Sequence, residues 1–173
     1  MLLKNSETPD GWFLPIRGRP KIYIENLDLG VAGEYGRVVE NIEDAEVAIL
    51  RLSAPFEPRE GFLERHFHSG DLDFKDEEKA AILDVLGKVP TVVDIYLERP
   101  AVIPEIAEGS ASLLADFGAC DAAVLDVVFG RFTPLGRLPF EMPSSMDAVR
   151  RQNEDVPYDS EDPLFPFGHG LTY

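Results

Sequence analysis

Two apolar runs constrain the fold of this chain more than any other feature. Residues 46–52 (Glu-Val-Ala-Ile-Leu-Arg-Leu) and 90–97 (Pro-Thr-Val-Val-Asp-Ile-Tyr-Leu) are nearly continuous in apolar residues. A strand with one wet face alternates, whereas a run this continuous belongs to a strand covered on both faces, which calls for helices above and below the sheet. Residues 21–25 (Lys-Ile-Tyr-Ile-Glu) do alternate and carry β-branched and aromatic side chains, so they read as a further strand. Between these strands, 31–36 reads as a short helical or turn segment and 37–40 as another short strand. The clearest helix is 76–87, with acidic residues in its first turn, Ile82, Leu83 and Leu86 on one face, and Gly87 placed to cap it. A second helix covers 121–129 and ends at Gly130, while 102–117 permits either one helix running through Gly109 or a short helix through Ile106 followed by a strand near 113–117. Strand, helix, strand, helix is the pattern of an α/β fold with a mostly parallel sheet and helices on its faces.

The length of 173 residues suits one domain. Two segments lack regular periodicity. From 53 to 73 the chain holds Pro55, Pro58, Gly61, Gly70, three aromatic residues and two histidines, which predicts a long structured loop of the kind that carries function. From 131 to 173, Pro and Gly dominate, yet the aromatic content is too high for a disordered linker, so this irregular tail is expected to pack on the domain. The formal charge of −16 excludes a nucleic-acid partner, since no Lys/Arg cluster could track phosphates, and it argues equally against an anionic membrane surface. One cysteine, Cys120, allows no intrachain disulfide, and neither a signal-peptide core nor a transmembrane run is present, so a cytoplasmic location is the default expectation.

Three stretches together resemble a known family. The chain opens Leu2-Leu-Lys-Asn5, followed by Leu14-Pro15; it continues Asp126-Val-Val-Phe-Gly130, Thr133-Pro-Leu-Gly-Arg-Leu-Pro-Phe140 and Met142-Pro143; and it ends Phe165-Pro-Phe-Gly-His-Gly-Leu-Thr-Tyr173. In this order they are similar to the C-terminal domain of family 3 glycoside hydrolases, a group that includes β-glucosidases and β-xylosidases. The resemblance implies a three-layer sandwich, and it supports the short-helix-then-strand reading of 102–117. It further implies that the parent activity is that of a β-glucosidase-like exo-glycosidase hydrolysing O-glycosidic bonds. In the family, the nucleophilic aspartate sits on a preceding barrel domain. This chain begins after that barrel, as expected of a truncated gene, a start placed too late, or a separate subunit whose barrel another chain supplies. By itself such a domain is expected to be inactive, to need no cofactor, and to present an apolar face through which it self-associates as a homo-oligomer.

A retaining glycosidase needs two carboxyl groups about 5–5.5 Å apart. In many members of the family, the acid/base is a glutamate on a loop of this domain just after the strand at 46–52. In one branch it stands two positions before a Pro-aromatic pair; the pair here is Pro55-Phe56, and the matching residue is Ser53. Glu57, Glu60 and Glu64 on the same loop are the alternative candidates, with Glu57 first because it directly follows Phe56. Phe56, His66 and His68 are candidates for contact with the carbohydrate substrate. Trp12, Phe62 and Phe67 could also stack on a sugar, although core packing is the simpler assignment for any one of these aromatics. His66, His68, Asp71 and Asp73 invite a metal reading, but their spacing matches no standard site, so no metal is expected. His169, between glycines, reads as structural, and Cys120, at a helix start with no His partner, as a small buried residue. Gly118 and Gly130 form no dinucleotide fingerprint. The alternative to a half-enzyme is a non-catalytic carbohydrate-binding or interaction module on the same fold, and the loss of glutamate at Ser53 counts for it.

Overall fold

The computed structural model describes residues 1–63 and 66–173. In chain order the elements are β1 (Leu2–Asn5), β2 (Glu7–Thr8), β3 (Gly11–Trp12), β4 (Lys21–Glu25), α1 (Leu29–Gly33), β5 (Arg37–Val38), a 3-10 turn (Ile42–Asp44), β6 (Val47–Ser53), α2 (Asp76–Leu86), β7 (Thr91–Tyr96), α3 (Pro104–Gly109), β8 (Ser112–Asp116), α4 (Asp121–Val128) and α5 (Met146–Arg151). One sheet of six strands runs β1-β8-β7-β6-β4-β5. Every neighbour pair is parallel except β1, which lies antiparallel on β8 at the edge. The sheet confirms the mostly parallel α/β reading, including the short helix and strand within 102–117.

Period-two alternation along the central strands divides the core into the two layers of the sandwich. Leu50, Val93, Ile95 and Leu113 face one way, onto Ile82 of α2 and Ile106 of α3. Their neighbours Ile49, Val92 and Leu114 face the other way, onto Ala32 of α1 and Val124, Leu125 and Val128 of α4. Both strand faces are therefore dry, which is why residues 46–52 and 90–97 must be apolar almost throughout. The helices begin where their sequences allow it. Asp28 caps α1 by accepting the amide of Val31 at 2.9 Å, Asp76, Glu77 and Glu78 sit in the first turn of α2, and Pro104 opens α3.

Among the strands and α-helices, four were not expected from the sequence: β1, the two strands of the small β2–β3 hairpin, and α5, which Ser145 caps by accepting the amide of Ala148 at 3.0 Å. The C-terminal segment supplies core as well as covering it. Leu138 and Met142 are buried in the layer that holds α2 and α3, and backbone bonds tie the segment to itself (Met142 N to Phe165 O, 2.8 Å) and to β1 (Leu171 N to Leu2 O, 2.8 Å). His169 is structural: its Nε2 meets the carbonyl of Leu3 at 2.7 Å, and its ring stacks on Phe165 with centroids 4.8 Å apart. Beside it, a Cβ at position 170 would stand 2.5 Å from the carbonyl oxygen of Gly136, so the close approach of these two backbones requires glycine.

Candidate active-site crevice at the strand reversal

In an open parallel sheet, ligands gather outside the carboxyl ends of the strands at the point where strand order reverses, because the loops there diverge to opposite faces. This chain runs from β4 outward to β5 and then returns to place β6 on the other side of β4, so its reversal lies between β4 and β6. Two adjoining hollows, of about 540 and 490 Å³, open there and share Ser53, Phe74 and Glu78. The first reaches Asn26, Arg51 and Tyr96 at the strand ends; the second continues beneath the 53–75 loop past Phe56, Glu57, Asp71 and Asp73. Asn26, in the left-handed region at φ 57°, donates Nδ2 to the carbonyl of Arg51 at 2.8 Å and so fixes the end of β4 to the end of β6.

Arg51, which lines the first hollow, belongs to an ionic cluster. Arg51 on β6 reaches Asp94 on β7 through Nε (2.9 Å), Asp116 on β8 through Nη2 (2.8 Å) and Asp121 at the start of α4 through Nη1 (2.6 Å). Nη2 also donates to the carbonyl of Ala119 at 3.0 Å. Three carboxylates facing one guanidinium cannot all ionise freely. Burial, followed by the charge of Asp116, pushes Asp94 from an ordinary 3.8 up to about 7. Burial acts upward on Asp116 too, but the amides of Ala119 and Gly118, with Asp94 and Arg51, outweigh it and hold that carboxyl below its usual range. Burial opposes the charge on Arg51, yet the bond to Asp121 and the charge of Asp94 prevail and raise its pKa above the ordinary arginine value. The sequence reading passed over this cluster, although one signal pointed to it: a lone Arg and a lone Asp each interrupt an otherwise apolar strand, and the register pairs Arg51 with Asp94.

Among the expected site residues, the structure brings Glu57, Phe56 and His68 together and leaves others apart. Glu57 lines the second hollow; its amide donates to the carbonyl of Ser69 at 2.8 Å, closing the base of the loop. Opposite it stands Gly70 at φ +86°, where a Cβ would lie 2.6 Å from Cδ of Glu57, so the side chain rests where only glycine leaves room. Phe56 stacks on His68 with centroids 3.7 Å apart and planes 11° from parallel. Nδ1 of His68 is bonded to Oε1 of Glu98, at the carboxyl end of β7, a partner that no sequence spacing suggested. Glu60 and His66 are exposed and line neither hollow, and Glu64 lies outside the described residues.

Two expectations are corrected. Cys120 is exposed, because as the N-cap of α4 it stands on the rim of the sheet and not beneath a helix. Trp12, Phe62 and Phe67 are 58, 77 and 66% exposed, so core packing fails for all three: each sits on a hairpin or loop that projects beyond both core layers. Among the described residues, no three His, Cys, Asp or Glu side chains converge as a metal would require; His68 is engaged by Glu98, and Asp71 faces Arg150 at 3.5 Å.

The chain matches the family model described as "Glycosyl hydrolase family 3 C-terminal domain" over residues 24–173. It is 49% identical over 154 residues to the probable beta-glucosidase C of Aspergillus oryzae, covering 88% of this chain and 24% of that protein. To beta-glucosidase C of Emericella nidulans it is 46% identical over 173 residues, covering 99% of this chain and 28% of that protein. Its fold matches a β-glucosidase from Listeria innocua solved with isofagomine at a TM-score of 0.72 and 16% identity, over 99% of this chain and 32% of that one. The chain thus spans about a quarter of the length of the curated relatives it matches.

Proposed function

The chain belongs to the glycosyl hydrolase family 3 C-terminal domain family, and from that premise we propose that its crevice completes the active site of a β-glucosidase-like exo-glycosidase whose nucleophile lies on a barrel domain outside this chain. The carrying observation is the position of Glu57, at the mouth of the crevice where the loop leaves β6. In this reading its carboxyl protonates the glycosidic oxygen as the barrel carboxylate attacks the anomeric carbon, then takes a proton from the water that releases the sugar. Phe56, backed by the His68 ring, offers an apolar face to the C–H side of a sugar. The Gly70 cradle holds the Glu57 side chain in place.

A second reading follows from Ser53, which stands where one branch of the family carries its glutamate: a carbohydrate-binding or interaction module with no proton transfer. The two separate in a complementation assay with aryl β-glycosides. A half-enzyme turns over substrate only when the chain is mixed with a separately expressed family 3 barrel, and Glu57→Gln removes turnover of the glycosides with poor leaving groups while Glu60→Gln and Glu64→Gln keep it. Turnover by the chain alone, or a mixture indifferent to Glu57→Gln, contradicts the proposal.

A further inference from the structure

A separate hollow of about 430 Å³ lies between the C-terminal end of α5 and the turn that follows it, far along the chain from the crevice and sharing no lining residue with it. The turn is preformed. Oδ2 of Asp159 accepts both the amide (3.0 Å) and Nδ2 (2.9 Å) of Asn153, and Oε2 of Glu141 accepts the amide of Ser160 at 3.1 Å. These bonds fix the side chains of Asp159, Asn153 and Glu141 around the hollow that all three line.

Tyr158 occupies the left-handed region at φ 60°, a conformation that a glycine would adopt without strain and a tyrosine does not. The strained backbone holds its ring outward, 54% exposed, with Phe167 beside it at 4.3 Å between centroids and Phe140 on the hollow's wall. Ring faces beside carboxylate and amide oxygens, with no Lys or Arg among the described lining residues, disfavour an anion and suit a neutral polyol with an apolar C–H face.

We infer that this hollow is a saccharide-binding site, distinct from the crevice, in which Tyr158 supplies the stacking platform and Asn153, Asp159 and Glu141 accept sugar hydroxyls. It stands independently of the role proposed for Glu57, since either site can be occupied without the other.

The test is a backbone-amide NMR titration of the isotope-labelled chain with glucose and cellobiose, with tetramethylammonium as the cationic control. Saturable shifts centred on residues 152–159 are expected. Tyr158→Gly is the informative variant, because it keeps the left-handed backbone while removing the ring; it should remain folded and bind about ten-fold more weakly or worse, the loss of one aromatic platform. Asp159→Asn should also weaken binding. Shifts confined to residues 53–75, saturation by tetramethylammonium but by neither sugar, or undiminished affinity in folded Tyr158→Gly would each overturn the inference. Saccharide shifts at 152–159 alongside a mixture that fails to hydrolyse would leave it standing while the half-enzyme reading falls.

Discussion

Replacing Arg51 with Met keeps most of the side chain's volume and removes its charge. In the fold Arg51 is 15% exposed and contacts Asp94, Asp116 and Asp121, of which Asp94 is only 1% exposed. Removing one partner of a buried ion pair costs about 3–5 kcal/mol because the remaining charge is left unpaired in a poorly solvated site. Asp94 has an escape: it can take up a proton, which burial already favours up to about pH 7. The cost should therefore be close to its full value at pH 8 and much smaller at pH 5, where the carboxyl is neutral in the variant. For a domain of this size, the same loss lowers Tm by roughly 6–20 °C. Urea denaturation followed by far-ultraviolet circular dichroism at both pH values reads the difference, and Arg51→Met/Asp94→Asn should recover part of the loss at pH 8. A single variant within about 0.5 kcal/mol of the parent at pH 8, the range of an ordinary surface substitution, would refute the assignment of this cluster as a buried, mutually dependent unit.

Three further outcomes follow from the same geometry. Because the pKa of Asp94 is raised in the fold, its protonation contributes stability that is complete below about pH 4 and lost as pH rises through about 7; in Asp94→Asn that decline should flatten, as measured by ΔG of unfolding across pH 4–8. Gly70→Ala forces a side chain into φ +86° against Glu57 and should destabilise the loop by about 1–3 kcal/mol, seen as faster amide exchange at Glu57 and Ser69 than in the parent. Met142→Ala, which empties a fully buried position of the C-terminal segment, should cost about 2–5 kcal/mol in urea denaturation, whereas a loss near zero would mean that this segment is a covering and not core.

What was legible in the sequence follows the physics of each element. Residues 102–117 left helix and strand open until the family resemblance favoured β8, whereas β4, β6 and β7 show themselves because burial on one or both faces leaves a local composition that needs no knowledge of the partner strand. Strand β1 does not, since only four residues pair with a strand more than a hundred positions away, and nothing local distinguishes them from coil. Helix α5 is six residues long among prolines and glycines, so its period is too short to read, although the Ser145 cap was visible in principle. The site divides in the same way. Glu57 and Phe56 were reachable from their place after a strand. The pairing of His68 with Glu98, and of Arg51 with three aspartates from β7, β8 and α4, joins residues 30 to 70 positions apart. Exposure was the least legible property: aromatic residues look alike in sequence whether they fill a core or, as with Trp12, Phe62 and Phe67, project from a hairpin or loop.

The central claim, that Glu57 is the carboxyl this domain lends to a glycosidase, is tested most directly by the leaving-group dependence of the reconstituted pair. With the chain and a family 3 barrel combined, glycosides of poor leaving groups need protonation, whereas highly activated aryl glycosides do not. The account predicts that Glu57→Gln abolishes turnover of the poor leaving groups, leaves the covalent step with the activated ones nearly intact, and gives a rate that rises steeply as leaving-group acidity increases. An equal loss across the series, or no loss at all, would contradict it and leave the crevice without a proton donor at this position.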